Sequence, residues 1–135
     1  MLRFSRVLFV VGSLLLSAHL ALAQATPADA RELIKRGNAK YERAEYESAI
    51  ADYRRVSPAA GELYARALYN SGVCDYELWR TEDAVAMYRQ AIAAKGGHYA
   101  AAFYSLGVAL EDLKQVAEAR TAYRAAIATS ARTSA

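Results

Sequence analysis

The feature that most constrains this chain is an internal repeat of 35 residues. Glycines stand at positions 37, 72 and 107, an alanine follows each glycine by twelve residues, and a tyrosine follows each alanine by four. A large apolar residue precedes each glycine by four positions. These columns contain Gly37, Gly72, Gly107, Ala49, Ala84, Ala119, Tyr53, Tyr88, Tyr123, Leu33, Leu68 and Phe103. A period of this length is the signature of stacked, similar structural units.

Each copy is predicted to form two helices, because apolar residues recur at helical spacing on both sides of a short polar break. In the first copy the break falls near Ala44 and Glu45. Thr26 as N-cap and Pro27 as the first helical residue predict where the first helix begins. Thr81 predicts, in the same way, the start of the second helix of the middle copy. One helix pair cannot bury both of its faces, so stacked copies are needed to form a core.

The repeated columns also predict how the two helices of a copy touch. A glycine in mid-helix destabilises the helix by about 1 kcal/mol relative to alanine, so its threefold occurrence indicates a helix that approaches too closely for a side chain. We expect the glycine of the first helix to meet the alanine of the second, with the tyrosine filling the space one turn beyond.

The pattern resembles the tetratricopeptide repeat, which has glycine in its first helix and A-x3-F in its second. The pairs Ala49 with Tyr53, Ala84 with Tyr88 and Ala119 with Tyr123 keep that spacing. The resemblance implies an all-α fold of three tandem helix-turn-helix repeats stacked as a short right-handed α-solenoid. Two departures are a period of 35 instead of the usual ~34 and glycine, at 61 and 96, in place of the proline expected at each repeat end.

The expected division of the chain follows from the repeat and from its first residues. It comprises a signal peptide at 1–23, a short linker and helix start at 24–29, repeats at about 30–64, 65–99 and 100–130, and a frayed tail at 131–135. The place held by Ile50 and Val85 in the first two copies is Arg120 in the last. This substitution suits the end of an array, where a polar outer face is needed.

The first 23 residues have the three parts of a secretory signal peptide. Arg3 and Arg6 precede an apolar run from Val7 to Leu16, and Ala21 and Ala23 form an A-x-A cleavage site. An uncleaved membrane anchor is the alternative, although polar residues interrupt the run and it is shorter than the ~20 apolar residues of a span. We therefore expect cleavage after Ala23 and a periplasmic or secreted protein with no stable membrane span.

The charge of the chain gives no support to nucleic-acid binding. Cleavage of the signal would remove two of the 17 basic residues. The remaining 15 basic residues and the 14 acidic residues give a net charge of +1. The only adjacent basic pairs are Lys35 with Arg36 and Arg54 with Arg55. Neither belongs to the longer cluster that counterion release on a nucleic acid requires.

In proteins that the chain resembles, the first helices of the repeats line a concave groove, so the resemblance implies a peptide-binding groove here. Its candidate residues are Arg31, Ile34, Asn38, Tyr41, Arg66, Tyr69, Asn70, Val73, Tyr76, Tyr104, Val108 and Glu111. Tyrosine and arginine are frequent at recognition sites because they combine contact area with a polar group. The alternative is that these tyrosines pack between neighbouring repeats.

Some members of the family hold a peptide carboxylate in a clamp of asparagines and basic residues. Asn38 and Asn70 match the asparagines, but Ile34, Ala101 and Ser105 stand where basic residues are expected. The clamp is therefore incomplete, and only Arg31, Lys35 and Arg66 are available as substitutes.

Catalytic groups are scarce, which predicts a protein that is not an enzyme and has no cofactor or metal. His98 lies in a connection between repeats, and no second metal ligand or orienting group stands at a recognisable spacing from it in the sequence. Cys74 follows Gly72 where the other copies have alanine, so it is interpreted as a small packing residue. The acidic pairs Glu82-Asp83 and Glu111-Asp112 do not face a common atom, because adjacent helical residues diverge by about 100°.

These observations predict a scaffold or adaptor in the cell envelope that binds another envelope protein or a peptide segment. A self-associating structural subunit, forming a homo-oligomer through the incompletely capped last repeat, is one alternative. A non-catalytic accessory subunit of an envelope enzyme complex is another.

Overall fold

The computed structural model describes residues 26–133. The predicted signal peptide, its cleavage site at Ala23 and the last two residues of the predicted tail lie outside the described residues. Six α-helices and no strands occupy the described range. The helices are α1 Pro27–Tyr41, α2 Tyr46–Tyr53, α3 Glu62–Glu77, α4 Thr81–Ala94, α5 Ala100–Asp112 and α6 Val116–Thr133, and a short 3-10 helix, Pro58–Ala60, joins α2 to α3.

The helices form three antiparallel pairs that stack in chain order, as the 35-residue repeat predicts. Each odd-numbered helix packs most extensively on the helix that follows it, α2 then packs on α3, and α4 packs on α5. α1 also contacts α3, and α3 contacts α5, so the first helices of the pairs form one layer. The all-helical solenoid predicted from the sequence is therefore confirmed.

The helix ends agree with the sequence at one predicted cap and disagree at another. Thr26 caps α1 as predicted: its Oγ1 accepts from the Asp29 backbone N–H at 3.2 Å, and Asp29 Oδ2 accepts from the Thr26 N–H at 2.8 Å. The interpretation of Thr81 as a cap is wrong, because Thr81 is the first helical residue and Arg80 is the N-cap without a side-chain hydrogen bond.

The outer bounds of the repeats also differ slightly from those predicted. α3 begins at Glu62, three residues before the boundary expected at 65, and α1 begins at Pro27. α6 continues to Thr133, so residues 131–133 of the predicted frayed tail are helical. α2 is only eight residues long. It could not continue through Pro58, which follows soon after it, because proline has no backbone N–H for a helical hydrogen bond.

The turn inside every helix pair has the same backbone conformation at the same place. Ala44, Trp79 and Lys114, which are 35 residues apart, have φ angles of 58°, 61° and 62°. L-residues with side chains disfavour this left-handed region. The period is thus present in the backbone as well as in the sequence, and the three turns reverse the chain identically.

The contact that explains the repeated glycine is made by the repeated tyrosine. A Cβ added to Gly37 would lie 2.4 Å from Tyr53 Cε1, one on Gly72 would lie 2.8 Å from Tyr88 Cε1, and one on Gly107 would lie 2.5 Å from Tyr123 Cε1. In every pair the atom nearest to such a Cβ belongs to the tyrosine ring, so the closest neighbour of the glycine is the tyrosine and not the alanine that we expected there. The alanines are also buried, and each tyrosine ring lies directly on the glycine of its own pair.

The core consists of two clusters joined through α3. One cluster holds Leu33, Ile34, Ile50 and Tyr53 of the first pair together with Ala67 and Cys74 of α3. The other holds Val85 and Tyr88 of α4 with Leu106, Ala109, Leu110, Ala119 and Ala122 of the last pair, and Tyr69, Val73 and Tyr76 of α3 pack against it. Opposite faces of α3 thus contribute to both clusters.

A buried carboxylate of α2 reinforces the first pair. Asp52 is 4% exposed; Arg36 Nε donates to its Oδ2 at 2.8 Å, and Lys40 Nζ lies 2.7 Å from the same atom. The hydrogen bond from Arg36 lowers the pKa of Asp52 to about 2 in spite of its burial. The equivalent positions of the other copies hold Met87 and Ala122, so this ion pair has no counterpart at those positions.

Candidate peptide-binding groove

Three adjoining cavities follow one another across α1, α3 and α5 and form a continuous groove on the inner surface of the solenoid. The first lies between α1 and α3, the second lies between the same helices beside Tyr53 of α2, and the third lies between α3 and α5. Asn38 and Arg66 line both of the first two cavities, and Tyr69 and Val73 line both of the last two.

The structure places most of the predicted groove residues on the walls of these cavities. They are Arg31, Ile34, Asn38, Tyr41, Arg66, Tyr69, Asn70, Val73, Tyr76, Tyr104 and Val108. Glu111 is not among the lining residues; it is exposed and accepts a hydrogen bond from Tyr123 at 2.9 Å. Ile34 is only 2% exposed, so it belongs to the core and gives the first cavity its floor. The sequence alone could not show that Ile34 is buried or that Glu111 bonds to Tyr123.

Asn38 connects the two repeats at the centre of the groove. Its Oδ1 accepts a hydrogen bond from Tyr53 Oη at 2.8 Å and another from Asn70 Nδ2 at 3.0 Å. The two asparagines that resemble clamp residues are therefore bonded to each other. The side-chain NH₂ of Asn38 donates to no other residue of the described chain, which leaves it as a donor on the groove floor.

The groove tyrosines divide into packed and exposed residues. Tyr69 lies against Tyr88 and Tyr99, with ring centroids 5.8 and 5.3 Å away, and its hydroxyl is 3.3 Å from Ser105 Oγ. It is therefore a contact between repeats, as the alternative interpretation proposed. Tyr104 is 60% exposed and offers most of its ring to a ligand.

The charges of the groove are separated between its two edges. Arg31 and Arg66 lie in the first halves of α1 and α3, and Lys35 lies just past the middle of α1. All three are exposed and take part in none of the ion pairs of residues 26–133. The opposite edge carries an acidic column that the sequence analysis missed. Glu42, Glu77 and Asp112 stand 35 residues apart at the ends of α1, α3 and α5. The period itself was the signal that could have revealed this column.

Tyrosine hydroxyls approach this acidic edge from the neighbouring helix. Tyr76 Oη donates to Asp112 Oδ2 across the gap between α3 and α5. That hydrogen bond, together with burial, raises the pKa of Tyr76. Burial is the larger cause at Tyr41, whose pKa is also raised by Glu77. Both tyrosines therefore remain neutral at ordinary pH, and the hydrogen bond from Tyr76 joins α3 to α5.

The residues considered for catalysis are dispersed over the described structure. His98 is exposed in the connection between α4 and α5. Cys74 is fully buried, and burial raises the pKa of its thiol to about 12, so it is a packing residue as predicted. In the range 26–133, histidine, cysteine and acidic side chains form no group of three suited to a metal ion. None of the helices in this range has the length and hydropathy of a membrane span.

Comparisons with known proteins agree with this geometry. The tetratricopeptide repeat family model matches residues 100–132, the last helix pair. The solved structure of the second TPR domain of Spaghetti (RPAP3), bound to the HSP90 peptide SRMEEVD, is similar to this chain. The two are 27% identical with a TM-score of 0.69, over 79% of this chain and 97% of that one. No curated protein sequence matches the chain significantly.

The family model covers only the last pair, while the structural similarity extends over most of the described helices. The glycine, alanine and tyrosine columns connect the three pairs, because each pair carries the same ring-on-glycine contact. The chain thus contains a tetratricopeptide repeat at residues 100–132, and its six described helices form a solenoid that resembles a tetratricopeptide domain.

Proposed function

We propose that this protein is a scaffold or adaptor that binds an extended peptide segment of another protein in the groove formed by α1, α3 and α5. The observation that carries the proposal is the continuity of the three cavities, which share lining residues at each junction. Tetratricopeptide domains are generally non-catalytic interaction modules, and the similar RPAP3 domain is bound to a peptide. We extend the non-catalytic role to this chain, without a cofactor.

The charge of the first cavity favours an acidic residue or a terminal carboxylate in the ligand. Arg31, Lys35 and Arg66 surround this cavity, and Glu42 is the only acid among the described residues of its wall. The RPAP3 domain binds a peptide that ends in Glu-Glu-Val-Asp. Ile34 is buried and Ala101 and Ser105 are uncharged, so a carboxylate here would be held by arginines, which suit it by their forked geometry.

Selection from a random peptide library on the immobilised wild-type chain tests the groove. Peptides that bind are titrated by calorimetry against Arg66→Glu and Tyr104→Asp, two substitutions at exposed positions that should leave the fold intact. Removal of a central interface contact should weaken binding by about tenfold or more. Ala128→Asp, on the outer surface of α6, is the matched control and should bind like wild type.

The groove proposal fails if the library yields no binder, or if both groove variants bind the selected peptides as well as the control does. Circular dichroism of each variant separates loss of binding from loss of helicity. Selected peptides without acidic residues would contradict the charge assignment of the first cavity while leaving the groove itself supported.

The place of action is also a proposal. The signal-like residues 1–23 support export, so the partner is sought in the periplasm or cell envelope. Expression of the full chain followed by fractionation and mass spectrometry should recover a mature protein that begins at Gln24. An intact N-terminus in the membrane fraction would favour the anchored alternative, and an intact N-terminus in the cytoplasm would contradict export.

A further inference from the structure

The outer face of α4 shows what the next helix pair covers in this array. Val85 is 6% exposed, Tyr88 is 2% exposed, and Ile92 is partly buried. All three pack in the cluster that contains Leu106 and Leu110 of α5. This row of residues is therefore the seam through which one repeat docks on its successor.

The same seam on α6 is open. The residues 35 positions further on are Arg120, Tyr123 and Ile127, and Val116 precedes them by one turn. Ile127 is 72% exposed and Val116 is 65% exposed. Tyr123 is only half-buried, although its counterpart Tyr88 is enclosed. Apolar residues thus occupy a face that no helix of the described chain covers.

The opposite end of the solenoid does not offer a matching surface. The residues with which α3 packs on the first pair include Tyr64, Ala67 and Leu78. Their counterparts around α1 are Asp29, Glu32 and Arg43, which are all exposed. Leu63 and Cys74 of the same seam are replaced by the small residues Ala28 and Ala39. A charged face makes a poor partner for an apolar one, because its groups would lose water without compensation. Head-to-tail stacking of copies is therefore disfavoured, and the open face requires a second apolar face.

We propose that this second face is the α6 seam of another copy of the same chain, packed antiparallel about a two-fold axis. The seam residues 116, 120, 123 and 127 follow the 4-3-4 spacing of a helix-pairing stripe. In a two-fold pair, residue i meets j and j meets i. With the axis between 121 and 122, Val116 meets Ile127 of the second copy, and Arg120 meets Tyr123 of the second copy.

Each of these layers is chemically self-complementary. The first joins two exposed aliphatic side chains and removes both from water. The second places the Arg120 guanidinium against a tyrosine ring, which attracts a cation. Glu111 adds a negative charge beside the tyrosine ring, which also attracts the guanidinium, since its Oε2 accepts a hydrogen bond from Tyr123 Oη at 2.9 Å. A parallel pair would instead place the two Arg120 residues against each other.

Disulfide trapping of the full chain tests the predicted register. One preparation carries Val116→Cys and another carries Ile127→Cys, and they are oxidised separately and as a mixture. The antiparallel seam should give a covalent dimer efficiently only in the mixture. Cys74 should not interfere, because it is fully buried. Dimers that form equally well in each separate preparation would overturn the antiparallel arrangement.

Sedimentation equilibrium over a wide concentration range tests the dimer itself. Ile127→Lys should weaken dimerisation by about a hundredfold or more, because the substitution occurs twice in every interface. Ala128→Lys adds the same charge one residue along on the outer surface and should leave the dimer unchanged. A wild-type chain that stays monomeric throughout, or an Ile127→Lys variant that dimerises like the control, would contradict the proposal. Neither result bears on the groove, which is tested by peptide binding.

Discussion

The tyrosine ring on a glycine is the residue-level contact that all three helix pairs share. Tyr53 and Tyr88 are enclosed by the following pair, with 3% and 2% of their surface exposed, whereas Tyr123 is half-buried at the open end. A Cβ on the glycine would overlap the ring in each pair. The ability of the ring to move aside therefore decides how severe the overlap becomes.

We expect Gly72→Ala to lower the free energy of unfolding by about 1–3 kcal/mol, the usual range for overpacking, even though alanine is the better helix former. Gly107→Ala should be less destabilising, because Tyr123 has solvent on one side. Urea unfolding of the two variants, each compared with wild type, checks this order. Equal losses, or a larger loss at Gly107, would show that ring mobility is not the deciding factor.

Asp52 makes the stability of the first pair dependent on pH. Its pKa is lowered to about 2 by Arg36 and Lys40, so the unfolded chain binds its proton more readily than the folded chain. The contribution of this carboxylate is therefore complete above about pH 4 and is lost as the pH falls towards 2.

We expect Asp52→Asn to lower the free energy of unfolding by about 1–3 kcal/mol near neutral pH, the range for hydrogen bonds to charged groups. The difference between wild type and this variant should then shrink between about pH 4 and pH 2. Denaturant unfolding at a series of pH values measures that difference, and comparison of the two proteins cancels contributions from other carboxylates. A difference that does not change with pH would contradict the assignment.

At the scale of the element, the three turns within helix pairs hold side chains in a backbone region suited to glycine. Lys114 has a φ of 62° and is exposed, and Trp79 has a φ of 61° with 91% of its surface exposed. Neither side chain makes enough packing contacts to offset the energetic cost of the left-handed backbone conformation. The turn is therefore imposed by the stacking of the helices on either side.

We expect Lys114→Gly to raise the free energy of unfolding by about 0.5–1 kcal/mol, because glycine adopts the left-handed conformation without steric conflict. Lys114→Ala is the control, since it removes the same side chain but keeps the Cβ. Thermal unfolding followed by circular dichroism should show a gain for the glycine variant alone. Equal stability of the two variants would mean that the backbone conformation is not the cause.

These elements also show what sequence reasoning can and cannot reach. The 35-residue columns predicted three helix pairs, because equal spacing requires equal structure. The repeated columns could not tell whether the alanine or the tyrosine lies nearest to the glycine, since a spacing of four residues places both on the same helix face. The cap of α4 was misplaced by one residue because the left-handed turn at Trp79 sets where the helix begins. The family resemblance implied which helix faces line the groove, but it could not show that Ile34 is buried there.

At the scale of the whole molecule, the solenoid has two different ends. The first pair presents charged residues at its outer face, as the terminal unit of an array should, while α6 presents Val116 and Ile127. A substitution such as Arg120 for valine makes this end more polar without making it a cap. If two copies join there, one particle carries two grooves, and a ligand with two suitable segments would bind far more tightly than either segment alone.

The ring-on-glycine contact also sets limits on how the groove can diversify. Tyr53 and Tyr88 line the groove and at the same time hold their helix pairs together. A change in either residue therefore alters ligand recognition and lowers the stability of the protein in one step. Arg66 and Tyr104 do not hold a helix pair together in this way. Substitutions at these two positions can therefore change ligand preference with little loss of stability. Specificity in this protein can evolve quickly along the rim of the groove and only slowly at its floor.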